Sequence, residues 1–208
     1  MKAKDKILIL ISGGILVSLV ILITRPPAAS QPQPSQATPV DDHHKPQPTN
    51  NVVFESLLNK QAPDFSLVDY NGRTVSLKSL FGKNVLLFFN EGLMCYPACW
   101  NQIVAFGQDT DLKQAGVTIL NITVDPKPQW ADAIAKMPEL ATATVLFDQD
   151  KKISTAYGVL TLTSSMHRGQ FPGHSYVLID KNGVVRFVWD DPQMAVRNSE
   201  LLAKINGL

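Results

Sequence analysis

The hydrophobic and polar positions divide the chain into three stretches. Ile7 to Thr24 is an uncharged run of 18 residues. As a helix rising about 1.5 Å per residue, it would be about 27 Å long, which is enough to cross most of a bilayer core. The next stretch is rich in proline, and from residue 51 onward apolar and polar residues alternate with the periods of strands and helices. The pattern predicts an amino-terminal membrane segment (1–25), a linker (26–50) and one folded domain (51–208).

The charges around the apolar run predict its orientation. Three lysines precede it and one arginine follows it, so the positive-inside rule places the amino terminus in the cytoplasm and the domain outside. A cleaved signal peptide is the alternative, because small residues follow at Pro26 to Ser30. The run is longer than a usual signal core, which favours a single-pass anchor in the cell membrane. In either case we expect the domain on the extracytoplasmic side.

The linker prediction follows from composition. Residues 26–50 contain seven prolines and almost no large apolar side chains, so this stretch cannot bury enough surface to offset the entropy of ordering. A proline-rich chain of this kind is extended and semi-rigid. We therefore expect a disordered spacer that holds the domain away from the membrane.

Within residues 51–208, strand and helix patterns follow one another. Val85 to Phe89 is a buried strand, a helix is expected from Pro97 to about Leu112, and the β-branched run 117–124 is a second strand. A strand, a helix and a strand in that order predict a parallel crossover. Asn71-Gly72 and Asn182-Gly183 indicate two hairpins. Further helices are expected over 128–137, 151–157 and 192–205, with a strand over 144–147. The order predicts an α/β domain with a mixed central sheet and flanking helices.

Cys95 and Cys99 are the only cysteines of the chain and lie where the buried strand gives way to the helical pattern. The free amides and the dipole at a helix start favour a thiolate, so we expect a lowered pKa and raised reactivity for Cys95. Cys99 lies one turn further along the same side, near enough to form a disulfide with Cys95 or to share a metal ion. The pair therefore indicates redox or metal chemistry.

Charge and motifs exclude several other classes of function. The formal net charge is +1, and the domain has no basic cluster of the kind that binds nucleic acid. The sequence also has no glycine-rich phosphate loop and no serine-histidine-aspartate motif. No nucleic-acid partner is expected.

Six segments of the domain carry a family resemblance. They are Ala62-Pro-Asp-Phe-Ser-Leu67, Gly72-Arg-Thr-Val-Ser-Leu77, Val117 to Asp125, Phe147-Asp-Gln-Asp150, Ala156-Tyr-Gly-Val159 and Tyr176 to Arg186. In this order they resemble the peroxiredoxin-like family (alkyl hydroperoxide reductase C and thiol-specific antioxidant, or redoxin), which has a thioredoxin-like fold. The resemblance covers essentially the whole domain. It implies a thiol-dependent oxidoreductase without a cofactor, in which Cys95 matches the peroxidatic position and Cys99 serves as the resolving cysteine.

The sequence departs from this family at three positions. Typical peroxidases of the family have proline and threonine seven and three residues before the cysteine, where Phe88 and Gly92 stand here. Counting back from Asp180, the family's peroxide-contacting arginine falls at His174. A neutral histidine cannot supply the permanent bidentate charge of arginine. The departures favour thiol–disulfide exchange with protein thiols or disulfides, accompanied by weak turnover of hydroperoxides.

A second resemblance gives the alternative. Two cysteines separated by three residues, with a distant histidine before the late hairpin, are similar to the Sco family of membrane-anchored copper chaperones. Two thiolates and one imidazole suit copper, so Cys95, Cys99 and His174 are the candidate ligands. In the enzyme interpretation His174 is an accessory residue or a hydrogen-bonded structural histidine.

Glu91, four residues before Cys95, is the other candidate accessory residue. If it were buried near the thiol, loss of solvent would raise the pKa of its carboxyl group and make it a proton acceptor. An exposed glutamate at the end of a strand is the alternative.

Overall fold

The structure is a computed structural model that describes residues 48–208. The expected membrane segment, and the expected linker apart from its last three residues, lie outside the described part. Across residues 48–208, no helix has both the length and the apolar character needed to span a bilayer.

Within residues 48–208, seven strands form one mixed sheet. Their order across the sheet is β2-β1-β5-β4-β3-β6-β7. The strands are β1 (Ser66–Asp69), β2 (Thr74–Ser76), β3 (Val85–Phe89), β4 (Thr118–Thr123), β5 (Val145–Phe147), β6 (Ser175–Ile179) and β7 (Val185–Asp190). Strand β4 pairs parallel with β3 and with β5. The other four pairs, β1 with β2, β1 with β5, β3 with β6 and β6 with β7, are antiparallel. The predicted parallel crossover, both hairpins and the mixed sheet are confirmed.

The described part of the chain also contains six α-helices. They are α1 (Val52–Glu55), α2 (Ala98–Gln108), α3 (Thr110–Gln114), α4 (Lys127–Lys136), α5 (Lys152–Ala156) and α6 (Asn198–Ile205). Two predicted helices were wrong in extent. The first long helix ends at Gln108, because the Asp109 carboxylate accepts the backbone amides of Asp111 and Leu112 and so caps the start of α3. The last helix begins six residues later than expected.

The sheet has an apolar cluster on each face. Side chains alternate along β3, so that Leu87 and Phe89 point to one face while Leu86 and Phe88 point to the other. The second face is covered by α2, α4 and α6, which contribute residues such as Ile103 to its cluster. We call this the α2 face of the sheet.

The pairing of β3 with β6 determines where the cysteines lie. Phe89, the last residue of β3, pairs antiparallel with Ser175, the first residue of β6. The turn that follows β3 and the residue that precedes β6 are therefore neighbours at one edge of the sheet. Cys95 follows the first of these strands, and His174 immediately precedes the second.

Candidate active site

Cys95 and Cys99 are joined by a disulfide bond. Cys95 ends a short 3-10 helix, Gly92–Cys95, that follows β3, and Cys99 is the second residue of α2. Both sulfur-bearing side chains are buried, with 3% of Cys95 and 0% of Cys99 exposed. Because Cys99 is in the first turn of α2, it lies nearer than Cys95 to the free amides of that helix.

Polar contacts hold the first two residues of the 3-10 helix that ends at Cys95. Trp100 Nε1 donates to the carbonyl oxygen of Gly92 at 3.1 Å, and the backbone N–H of Leu93 donates to Asp125 Oδ2 at 2.9 Å. The Thr123 hydroxyl donates to the same carboxylate oxygen at 2.8 Å. Burial raises the pKa of Asp125. These contacts fix the start of the turn that carries the first sulfur.

The same contacts explain why glycine stands three residues before Cys95. Gly92 has φ of +57°, a backbone conformation that favours glycine. A β-carbon at this position would collide with the side chains of Asp125 and Thr123. The threonine typical of the related peroxidases therefore does not fit the turn of this chain.

His174 approaches the disulfide from β6. Its side chain is fully buried, and Nδ1 lies 3.5 Å from Cys99 Sγ. Its other ring nitrogen, Nε2, lies 2.8 Å from the Tyr176 hydroxyl. The imidazole therefore bridges the inner sulfur and a buried tyrosine.

The hydrogen bonds beyond Tyr176 assign the tautomer of His174. The backbone N–H of Arg197 donates to Gln102 Oε1 at 2.7 Å, which identifies that side-chain atom as the oxygen. The Tyr176 hydroxyl donates to this oxygen at 3.1 Å, so its single proton is already used. His174 Nε2 must then carry a proton and donate to Tyr176. The lone pair of Nδ1 is left facing Cys99.

The electrostatic surroundings keep this histidine neutral. Burial lowers the pKa of His174 to about 4, although the negative charge of Asp191 acts in the opposite direction. Arg197 forms an ion pair with Asp191 at 2.8 Å. Burial also raises the pKa of the Tyr176 hydroxyl, so that group is neutral as well. At pH 7 the inner sulfur thus faces an uncharged imidazole whose Nδ1 lone pair can accept a hydrogen bond from a Cys99 thiol.

Phe88 packs beneath this group. Its ring stacks on Tyr176 with centroids 4.9 Å apart, and it meets the edge of His174 at 4.6 Å. The phenyl ring therefore fills space next to the imidazole at the position where the related peroxidases have proline.

Glu91 is fully buried, and its hydrogen bonds point to a different segment. Its Oε1 accepts the backbone amides of Met166 at 2.6 Å and His167 at 3.0 Å, as well as the Ser165 hydroxyl at 3.2 Å. Its Oε2 lies 3.0 Å from His167 Nδ1. Glu91 is thus not the exposed strand-end residue of the alternative, and its carboxylate fastens residues 165–167 to the end of β3. That Glu91 accepts a proton from the thiol remains a prediction.

The two sulfur atoms and one nitrogen of His174 lie within 4.8 Å of one another. Two thiolates and an imidazole form a donor set that suits copper, and the bond from Nε2 to Tyr176 would orient the imidazole. Both sulfurs are engaged in the disulfide, so they become available to a metal ion only after reduction.

Sequence reasoning missed the residues that orient His174. Tyr176 could have been found, because it lies two residues after His174 on the same face of a strand. Gln102 could also have been found, because it is a polar residue three positions after Cys99 on the buried face of α2. Arg197 lay within a predicted helix, and the sequence gives no signal of its contact with Gln102.

The comparisons with known proteins agree with this fold. Residues 58–188 match the model of the AhpC/TSA family. The chain is 36% identical over 132 residues to Peroxiredoxin Bcp of Escherichia coli (strain K12), covering 62% of this chain and 83% of that protein. It is 32% identical over 143 residues to the chloroplastic Peroxiredoxin Q of Populus jackii, covering 68% of this chain and 64% of that protein.

Solved structures give the same result at the level of the fold. The reduced 2-Cys peroxiredoxin of Plasmodium vivax superposes with a TM-score of 0.60 at 26% identity, covering 72% of this chain and 80% of that chain. Peroxidoxin BcpB of Mycobacterium tuberculosis superposes with a TM-score of 0.60 at 20% identity, covering 73% of this chain and 97% of that chain. The predicted thioredoxin-like domain is confirmed. The chain belongs to the AhpC/TSA family and is a thiol-dependent oxidoreductase of its peroxiredoxin-like group.

Proposed function

We propose that this protein is a membrane-anchored, extracytoplasmic thiol–disulfide oxidoreductase in which Cys95 is the nucleophile and Cys99 is the resolving cysteine. The observation that carries the proposal is the disulfide between two cysteines in unequal surroundings. Cys95 ends a turn flanked by exposed residues, whereas Cys99 is enclosed and faces His174. The outer sulfur is therefore the one that a substrate can reach.

The exchange reaction uses both sulfurs in turn. The Cys95 thiolate attacks one sulfur of a substrate disulfide, forming a mixed disulfide and releasing the substrate's other sulfur as a thiolate. Cys99 then attacks Cys95, which releases the second substrate thiolate and leaves the protein disulfide. Two electrons pass from the protein to the substrate, and a second dithiol restores the reduced protein.

His174 supplies the proton transfer for the second step. As Cys99 attacks, its thiol proton moves to Nδ1 of the neutral imidazole, and the sulfur's developing negative charge stabilises the imidazolium that burial alone disfavours. Nε2 keeps its proton and continues to donate it to the Tyr176 hydroxyl. The proton transfer converts a buried thiol, which is a poor nucleophile, into a thiolate at the first turn of α2. The imidazole thus takes part in resolution rather than in the first attack.

With a hydroperoxide, the same cysteines perform a related reaction. The Cys95 thiolate attacks the peroxide, becomes a sulfenic acid and releases an alcohol or water, and Cys99 displaces water from the sulfenic sulfur to form the disulfide. Phe88, Gly92 and His174 replace the residues that close the peroxide pocket in typical peroxidases. We therefore expect slower turnover of hydroperoxides than of disulfides.

The expected location rests on the sequence of residues 1–50. The apolar run with lysines on its amino-terminal side supports a single-pass anchor, and the proline-rich stretch supports a spacer. A compartment outside the cytoplasm is oxidising, which suits a protein with a stable disulfide. Digestion of intact and of permeabilised cells with an added protease tests this assignment: a domain outside the cytoplasm should be cleaved in intact cells, and protection until the membrane is permeabilised would refute it.

The function is tested by rates on two substrates. Purified protein is supplied with dithiothreitol as reductant, and the reduction of insulin disulfides is compared with the consumption of hydrogen peroxide. Disulfide reduction that requires both cysteines supports the proposal. Absence of turnover on both substrates would refute it.

Copper binding is the second candidate function. It is favoured by one observation, the closeness of two sulfurs and the imidazole nitrogen in a buried site. Such a carrier would bind Cu(I) after reduction of the disulfide, through Cys95, Cys99 and His174. The matched relatives are named as peroxiredoxins, so the oxidoreductase remains the preferred proposal.

A further inference from the structure

A groove opens beside the cysteine turn on the α2 face of the sheet. It lies between the Gly92–Cys95 turn and α4, and has a volume of about 580 Å³. We call it the α4 groove. We propose that it binds an apolar side chain next to the reacting cysteine of a polypeptide substrate, an inference that rests on the oxidoreductase function proposed above.

Access to the sulfurs leads to this groove. Cys95 is buried, yet both of its neighbours in the chain are exposed, Met94 to 54% and Tyr96 to 64%. These side chains are the exposed surface next to Cys95 in the chain, so we expect a substrate that reaches its sulfur to contact them. Tyr96 is also one of the residues that line the α4 groove. A chain that approaches the disulfide at Tyr96 thus meets the groove immediately beside it.

The walls of the α4 groove suit an apolar occupant. Trp100, Ala133 and the half-buried Leu93 and Met137 form its apolar lining. Trp100 is anchored by its bond to the Gly92 carbonyl, so this wall is rigid. Apolar walls with a polar rim are typical of sites that bind a buried side chain of a partner.

The charges at the rim favour a neutral occupant. Asp132 and Lys136 lie four residues apart on α4 and have opposite charges. The rim therefore has no excess charge that would select an anionic or a cationic ligand. A groove of this volume can hold side chains and a short stretch of backbone, because ligand sites in proteins commonly measure about 300–1,000 Å³. We assign it to a peptide with an uncharged apolar residue beside its cysteine.

The reaction with such a peptide balances. A peptide thiolate attacks Cys95 Sγ, the Cys95–Cys99 bond breaks, and Cys99 leaves as a thiolate that takes up a proton. A second peptide thiolate attacks the peptide sulfur of the mixed disulfide and releases Cys95. Two peptide thiols become one peptide disulfide, and the protein disulfide becomes two thiols.

The test uses the oxidised full-length protein and two synthetic peptides that differ only beside the cysteine, one with phenylalanine and the other with the uncharged polar residue asparagine. We expect the phenylalanine peptide to reduce the disulfide about tenfold faster or more, the discrimination typical of an apolar pocket. Gln129→Trp and Asp132→Trp place a bulky ring at the groove rim and should each remove most of this difference. Ala135→Trp is the matched control, because Ala135 is an exposed residue of α4 outside the groove lining.

Dithiothreitol is a small reductant without an apolar side chain to place in the α4 groove. The wild type and the three variants should therefore react with it at equal rates. Equal rates for the two peptides with the wild-type protein, or discrimination that survives both rim variants, would overturn the inference. If the rim variants instead slow cumene hydroperoxide but not hydrogen peroxide, and leave the peptide discrimination intact, the groove serves a small apolar oxidant and the inference is also wrong. Because the peptide assay measures a single reduction of the disulfide, it gives its answer even if insulin and peroxide turnover are absent.

Discussion

His174 Nδ1 lies 3.5 Å from Cys99 Sγ, so the two ends of the Cys95–Cys99 disulfide are chemically unequal. The inner sulfur faces a neutral base, whereas the outer sulfur belongs to the turn between Met94 and Tyr96. The asymmetry determines which sulfur leaves when the bond is attacked. Cys99 is the better leaving group, because its thiolate forms in the first turn of α2, where the free backbone amides and the helix dipole stabilise negative charge.

The assignment of the two cysteines predicts different behaviour of their serine variants. Cys95→Ser should lower disulfide reductase activity by at least about 1,000-fold, because it removes the nucleophile. Cys99→Ser should retain the first attack and accumulate mixed disulfides, since resolution is lost. Mass spectrometry of each variant after incubation with oxidised insulin measures the trapped species. Equal trapping by the two variants would show that the roles are assigned wrongly.

Replacement of His174 separates the enzyme from the copper carrier. In the enzyme, His174→Ala removes the proton acceptor of Cys99, and resolution should slow by about 100-fold to 10,000-fold. In a carrier, the same change removes one of three ligands and should weaken copper binding strongly near neutral pH. Rates of insulin reduction and affinities for Cu(I) and Cu(II) are measured on both proteins. Tight stoichiometric copper binding that is lost in the variant, with negligible reductase activity in both proteins, would favour the carrier.

Burial of His174 predicts a pH dependence of stability. Its pKa falls from an ordinary value of 6.5 to about 4 in the folded protein, so between these values the unfolded chain binds the proton and the native state does not. The stability contributed by the neutral imidazole is therefore complete above about pH 6.5 and is lost as the pH falls towards 4. The slope from one group cannot exceed about 1.4 kcal/mol per pH unit.

The measurement is urea unfolding of the oxidised protein from pH 7.5 to 4, with His174→Gln as the comparison. The difference between the two proteins isolates this histidine from buried carboxyl groups such as Asp125 and Asp148, whose pKa values are raised by burial. We expect wild type to lose more stability than the variant over this range. If the free energies of unfolding of the two proteins fell equally with pH, the folded structure would not lower the pKa of His174.

Gly92 should not tolerate the threonine that is typical of related peroxidases. Gly92→Ala adds a β-carbon that collides with Asp125 and Thr123, in a left-handed conformation that itself costs about 1–2 kcal/mol. Gly116→Ala is the matched control, because Gly116 has φ of +68° and no atom within 4 Å of an added β-carbon. We expect Gly92→Ala and Gly92→Thr to lower the free energy of unfolding by more than the control does. Equal losses would mean that the turn moves to accept the side chain.

The sequence predicted the sheet and the cysteine turn because their signals are local. Val85 to Phe89 is apolar at every position, as a strand buried on both faces requires. Asn182-Gly183 marks the hairpin between β6 and β7, and the spacing of Cys95 and Cys99 already permitted a disulfide. Each of these features depends on residues that are near one another in the chain.

The surroundings of the site were not predictable in the same way, because they depend on contacts between distant segments. Residues 192–197 were expected to be helical, since a proline often occupies the first helical position. In the structure the Asp191 carboxylate accepts the amides of Gln193 and Ala195 and pairs with Arg197, which holds this stretch as a loop. The loop then supplies the Arg197 amide that orders Gln102. No local pattern indicates these bonds.

The pairing of Phe89 with Ser175 also has a consequence for how this chain can change over evolutionary time. Because neighbouring residues of a strand point to opposite faces, a single residue inserted between His174 and Tyr176 would place the imidazole on the face of the sheet opposite the sulfurs. Loops elsewhere on the domain can lengthen without this effect. A change in length at the start of β6 should therefore be as damaging to the site as the loss of His174 itself.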